Sequence, residues 1–412
     1  MTMTGTEAGR RTAAIRSDFP ALSRQQAGRP IAFFDGPGGT QVPAVVIDAM
    51  ADYLRFHNAN THWEYPTSHE TDAIIAAARQ AMADFLNCTA AEVVFGANMT
   101  TLTYHLARGL GRGFAAGDEI VVTELDHHGN VGPWEALAVD RGVVLRRVPF
   151  NLADGTLDPA AVIDAIGPRT RLVAVGWASN ALGTITDVAP ICAAARRRGV
   201  LAFVDAVHSA PHLLPDVAAL DCDYLACSPY KFYGPHAGVL YGRRELLNSV
   251  PIPKLAPAPT EAPERLETGT LSHEAIAGVH AAVDYLAGIV GGPDRRTALL
   301  ASYAELHRRA HELFGVLWDG LGAIPGVTRF GVAPERPRTP TAGFTLAGVA
   351  SSEVARRLAE RGVFVSHGDF YAATVIERLR LGPEGLVRAG AACYTDRSDV
   401  ERLLEGVAAL AR

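Results

Sequence analysis

Lys231 lies in the run Ser228-Pro229-Tyr230-Lys231-Phe232-Tyr233-Gly234-Pro235, and Asp205 ends the apolar run Val200-Leu201-Ala202-Phe203-Val204. An amine on a Gly/Pro-bounded loop and a carboxylate at a strand end are the two groups that a pyridoxal phosphate (PLP) site requires. The amine forms the Schiff base, and the carboxylate keeps the pyridine nitrogen protonated so that the ring works as an electron sink. Each residue also has an ordinary use: a lysine near a turn is commonly a solvated charge, and an aspartate after a strand commonly caps a helix.

Other polar residues sit at comparable places. Gly96-Ala97-Asn98-Met99-Thr100-Thr101 leads from an apolar run into the helical pattern Leu102 to Leu110, where free backbone N–H groups and hydroxyls would face a phosphate. Glu124 to Asn130 offers His127 and His128 beside another strand end. No cysteine or carboxylate stands at metal-ligand spacing to them, so a histidine that stacks on a ring or handles a proton is expected in preference to a metal site. The five cysteines (Cys88, Cys192, Cys222, Cys227, Cys393) form no CxxC or Cys/His pattern, which argues against zinc and a disulfide framework and fits a reducing compartment.

The elements that must position these groups are visible as short apolar runs: Val93 to Phe95, Ile120 to Val122, Val143 to Leu145, Leu172 to Val175, Leu201 to Val204, Tyr224 to Ala226 and Val239 to Tyr241. Near-continuous apolar strands alternating with helices predict an α/β fold with a mostly parallel sheet covered on both faces, whose ligands gather at the carboxyl ends of the strands. Lys254 to Pro263 reads as a surface connection, followed by long amphipathic helices over 273–289 and 295–321. The tail alternates again, with a helix over 352–360 stopped by Gly362 and a last helix opened by the capping-box pattern Ser398-Asp399-Val400-Glu401. The expected division is an N-terminal segment (1–30) packing on a small domain, a large PLP-binding domain (31–290) and a smaller α+β C-terminal domain (291–412).

At 412 residues, 48% hydrophobic and 20% charged, the chain can bury a large core. A net charge of −6 provides no basic field for nucleic acid or an anionic membrane surface, so a small molecule is the expected partner. Arg10-Arg11 is followed by no apolar h-region and no 18-residue apolar run occurs, so no membrane association is expected and the expected location is cytoplasmic.

The ordered series Asp126-His127-His128-Gly129-Asn130-Val131, Ser179-Asn180-Ala181-Leu182-Gly183-Thr184, Asp205-Ala206-Val207-His208, Ser228 to Pro235 and Glu267-Thr268-Gly269-Thr270 resembles the class V aminotransferases, a family of fold-type I PLP enzymes. Within it the chain is most similar to the cysteine desulfurase-like proteins of the group-II (SufS-like) branch. The resemblance implies a large domain with a seven-stranded sheet and a homodimer. It implies that Lys231 holds PLP and moves the Cα proton, that Asp205 pairs with the ring nitrogen, that His208 and Asn180 lie at the ring oxygen, and that His127 stacks on the ring. Asn98, Met99, Ser228 and Tyr230 would bind the phosphate, with Thr270 reaching over from the second subunit. Arg388, in Leu386-Val387-Arg388-Ala389-Gly390, would clamp the substrate carboxylate.

One departure bears on the reaction. Desulfurases of that branch carry a loop cysteine that attacks the substrate sulfur, whereas the matching stretch here is Ser366-His367-Gly368-Asp369-Phe370-Tyr371-Ala372, with Tyr371 in the cysteine's place. A phenol cannot take up sulfur as a persulfide. Cys393, in the apolar run Ala391 to Tyr394, reads as a small buried hydrophobe. The expected reaction is therefore a PLP-dependent carbon–sulfur lyase acting on an S-substituted cysteine, with Tyr371 or His367 protonating the departing sulfur. Transamination, epimerisation or decarboxylating oxidation of an amino acid is the alternative, and a PLP-binding protein without turnover a remote one. Walls of the pocket are expected from 58–68 and 367–373, where His62, Trp63, Tyr65, Phe370 and Tyr371 leave room for an aromatic or bulky group.

Overall fold

The computed structural model of the chain describes residues 12–411, and the Arg10-Arg11 pair lies outside them. All seven apolar runs form strands of one sheet: β1 (Val93–Gly96), β2 (Glu119–Thr123), β3 (Val144–Val148), β4 (Thr170–Gly176), β5 (Leu201–Asp205), β6 (Tyr224–Cys227) and β7 (Gly238–Gly242). Their order across the sheet is β1-β7-β6-β5-β4-β2-β3. The neighbours from β6 to β3 run parallel, and β7 is antiparallel to both β1 and β6.

The pleat explains why the strands other than β3, which lies at the sheet edge with Val144, Arg146 and Arg147 exposed, are apolar throughout. Alternate residues point to opposite faces, and both faces are covered: Val121, Val173, Val175, Ala202, Val204 and Leu225 enter one core, while Ile120, Val122, Leu172, Ala174, Phe203 and Tyr224 enter another. The helices Pro66–Leu86 and His273–Gly288 close over the first face, and Met99–Leu110 over the second.

A second sheet follows the helix Arg295–Ala323. Its strands are β8 (Val327–Phe330), β9 (Thr341–Leu346), β10 (Ser366–Gly368) and β11 (Leu386–Gly390), in the order β8-β9-β11-β10, all antiparallel. Its core unites Phe344, Val387 and Ala389 with Trp318, Leu358 and Leu403, and with Ala32 and Phe34 from the N-terminal part of the chain. Ala32–Phe33 pairs in parallel with Val363–Phe364, so contact between the N-terminal chain and this layer continues past residue 30. The last helix, Arg397–Leu410, corrects one expectation: its cap is Asp396, whose carboxylate accepts from Asp399 N at 3.0 Å while Asp399 accepts from Asp396 N at 3.2 Å. The reciprocal box exists two residues earlier than the Ser398 pattern indicates, because aspartate serves at both ends of it. Among the described residues no helix is long and apolar enough to cross a membrane.

Candidate active site

The carboxyl ends of β1, β2, β4, β5 and β6 converge on one cavity of about 530 Å³. It is lined by every residue expected to hold the cofactor except Thr270: Asn98 and Met99 after β1, His127 after β2, Asn180 after β4, Asp205 and His208 at and after β5, and Ser228, Tyr230 and Lys231 after β6. Asn98 is the N-cap of Met99–Leu110, its Oδ1 accepting from Thr101 N at 2.8 Å and from the Thr101 hydroxyl at 3.0 Å. Its side chain is thus committed to the helix, and the cavity meets the unsatisfied start of that helix, with Ser228 Oγ accepting from Met99 N at 3.3 Å. Close approach is possible because β7 carries glycine here: a Cβ on Gly238 would fall 2.4 Å from the Asn98 carbonyl carbon.

Asp205 is buried at the floor, where its carboxylate accepts from Val207 N at 2.9 Å. Burial raises its pKa to about 6 against the pull of that hydrogen bond and of the Lys231 charge. Lys231 ends the 3₁₀ turn Pro229–Lys231, with Nζ donating to Pro37 O at 2.5 Å and standing 4.9 Å from the centre of the Tyr230 ring. Burial, followed by the Arg388 charge, brings the amine down from 10.5 to about 7, with Asp205 opposing. His127 is brought down to about 4 by burial and then by the Lys231 and Arg388 charges, and its Nδ1 accepts from Gly129 N at 2.8 Å. It is therefore a neutral ring with its proton on Nε2. His208 also stays neutral, chiefly through burial, and its Nε2 lies 3.0 Å from the Thr339 hydroxyl.

A second chamber of about 580 Å³ adjoins the first and shares Lys231, His127 and Asn180 with it. Arg388 and Tyr371 line it. Arg388 is buried, donates through Nη1 to Asn180 O at 3.0 Å, and lies 4.0 Å below the centre of the Phe370 ring. Burial lowers its pKa to about 9. Tyr371 is 73% exposed, and its ring centre is 5.6 Å from that of His127.

One expectation needs correction. His367 is opposite Val387 in the β10–β11 register, whereas Arg388 is opposite Ser366. The pleat therefore sends His367 to the face away from Arg388; it is exposed and lines neither chamber. Thr270 is exposed and lines a separate cavity with His62 and Trp63, so within one copy of the chain these residues do not meet Lys231.

Several residues at the site were not singled out from the sequence. Pro37 and Gly38 touch both chambers, and Asp35 nearby has its pKa raised by burial, partly offset by its own backbone and the Arg388 charge. The turn-forming string Asp35-Gly36-Pro37-Gly38-Gly39 was the available signal. Asp126 lines the inner cavity and accepts from Gly176 N at 2.8 Å and Asn130 Nδ2 at 3.1 Å, locking the end of β2 to the end of β4. Lys231 and Lys254 are the only lysines in the chain, which leaves Lys231 as the only ε-amine in the cavity.

The donor set suits PLP: a buried carboxylate, a desolvated amine, and hydroxyl and backbone groups at a helix start. At the cavity wall, the buried Asn180 Oδ1 and Arg388 Nε have no protein partner and are open to a ligand.

Residues 32–403 match the family described as Aminotransferase class-V. The cysteine desulfurase of Pectobacterium atrosepticum is 32% identical over 409 residues, covering 95% of this chain and 96% of the relative. That of Klebsiella pneumoniae is 34% identical over 409 residues with the same coverage. An apo structure of the cysteine desulfurase from Thermococcus onnurineus NA1 superposes with a TM-score of 0.87 at 28% identity, covering 97% of this chain and 98% of that one. The chain belongs to the class-V aminotransferase family of fold-type I proteins and is a pyridoxal-phosphate-dependent enzyme.

Proposed function

We propose that the chain catalyses β-elimination from an S-substituted cysteine: the Cβ–S bond breaks, and with one water the products are a free thiol, pyruvate and ammonium. The observation that carries this reading is that no cysteine lines either chamber. Cys192, Cys222, Cys227 and Cys393 are buried, Cys88 is partly so, and burial pushes the Cys393 thiol up to about 12. Sulfur uptake as a persulfide needs an accessible thiolate, whereas elimination needs only a base, a carboxylate clamp and an acid.

Bound PLP supplies the electron sink that makes the substrate Cα–H acidic. Asp205 would hold the proton on the ring nitrogen, and neutral His127 would stack on the ring. Asn98 and Met99, through their backbone, bind the phosphate together with Ser228 and Tyr230. His208 and Asn180 would lie at the ring oxygen. Lys231, whose amine burial and the Arg388 charge bring down to about 7, would bind the cofactor and then take the Cα proton. Arg388 already gives Nη1 to Asn180, so it receives the substrate carboxylate along the Nε–Nη2 edge, a bidentate fit. The Tyr371 hydroxyl donates its proton to the departing sulfur and recovers one from solvent.

A homodimer completes this reading. Thr270 lines a cavity apart from Lys231 within one copy, and the exposed apolar Trp63 and Leu255 line that cavity with it, as expected of a surface covered by a second subunit that receives Thr270. The test is to incubate holoenzyme with S-ethyl-L-cysteine and quantify ethanethiol and pyruvate together. Equal yields support elimination; a stoichiometric conversion of PLP to the amine form without thiol would place the chain among transaminases instead.

A further inference from the structure

The outer chamber is far larger than cysteine requires. Its volume of about 580 Å³ lies within the ~300–1,000 Å³ range of pockets that enclose a whole small-molecule ligand. Cysteine as a whole, by contrast, fills roughly the space of four waters, ~120 Å³.

Its walls have a definite chemistry. Tyr104, from the helix Met99–Leu110, lines it together with His128 and with Phe370 and Tyr371 from the loop after β10. No carboxylate lines the chamber. Phe370 lies on the guanidinium of Arg388, so the group that holds the substrate carboxylate also fixes one aromatic wall.

The loop that presents these rings has an uncommon backbone. Phe370 and Tyr371 are consecutive non-glycine residues in the left-handed region, at φ +56° and +57°. Bulky side chains adopt this conformation only where surroundings enforce it, and such residues concentrate at ligand clamps. Here Asn180 Nδ2 donates to Phe370 O at 2.8 Å, His128 N donates to Tyr371 O at 2.7 Å, and Tyr371 N donates to Asp369 Oδ1 at 2.9 Å. Asn180 of the inner site and His128, the neighbour of His127, thus hold the aromatic pair in place.

We propose that this chamber is a subsite for an aromatic S-substituent, making the substrate class a cysteine thioether that carries an aromatic group rather than cysteine itself. The proposal rests on the lyase reading above, and its test separates the two. Holoenzyme is titrated with S-benzyl-L-cysteine and with S-methyl-L-cysteine, following the cofactor absorbance for dissociation constants and thiol release for turnover. A single methylene in an apolar pocket is worth ~10–200-fold, so S-benzyl-L-cysteine is expected to bind at least about 100-fold more tightly. Tyr104→Ala is expected to cut that ratio about tenfold. A ratio near one overturns the proposal whether or not thiol is released. A large ratio that Tyr104→Ala reduces, without thiol from either compound, upholds the aromatic subsite and overturns elimination.

Discussion

The amine of Lys231 should titrate near pH 7 in the PLP-free protein, and the low lysine content makes this directly measurable. An amine with pKa 10.5 is neutral in about 0.03% of molecules at pH 7, and one brought to about 7 in about half, a difference of roughly a thousandfold in reactive fraction. Cyanate is small enough to enter the cavity and reacts only with neutral amines. Mass spectrometry can follow carbamylation of Lys231 against Lys254, the only other lysine. The rate at Lys231 should rise with pH to a midpoint near 7. Arg388→Leu removes a like charge and should move that midpoint upward. The move should fall short of halfway to 10.5, because burial is the larger cause and remains. A midpoint above 9 in the unmodified protein, or a downward move in Arg388→Leu, would refute the reasoning that burial and Arg388 set the state of this amine.

Three further outcomes follow from the geometry. Tyr371→Phe keeps the ring and removes the proton donor, so kcat for thiol release should fall about 10²-fold with little change in KM, read from steady-state assays. Gly238→Ala drives a methyl into the Asn98 backbone, which cannot swing aside; PLP affinity by equilibrium dialysis should weaken at least about tenfold. Arg79 and Glu267 form a two-pronged ion pair with both contacts at 2.6 Å, and both side chains are largely buried. Arg79→Met leaves that carboxylate unpaired and should cost about 3–5 kcal/mol in urea unfolding.

The sheet was legible because all its strands but the edge strand β3 are buried on both faces and so appear as unbroken apolar runs; β3 showed only Val143 to Leu145 before its exposed arginines. Lys231, Asp205, Asn98 and His127 followed because polar residues at the carboxyl ends of parallel strands converge. What escaped was set by pairing between distant segments. Pro37 reaches Lys231 across 194 residues, and Ala32–Phe33 crosses to the C-terminal sheet, with no local pattern announcing either. His367 was misplaced by a step of one residue: in a strand that step reverses the side chain, and the register that decides it comes from β11. Phe370 looked like a bulky loop residue, and only its left-handed backbone and its position on Arg388 give it a particular place.

Cleavage of Cβ–S by elimination, without a protein thiol, is tested most directly by the fate of the carbon skeleton. Holoenzyme turning over ¹³C-labelled S-benzyl-L-cysteine, followed by NMR with the intact protein mass recorded in parallel, should give labelled pyruvate matching the released thiol and a protein mass with no added sulfur. Labelled alanine, accompanied by sulfur bound to one of the cysteines, would contradict it.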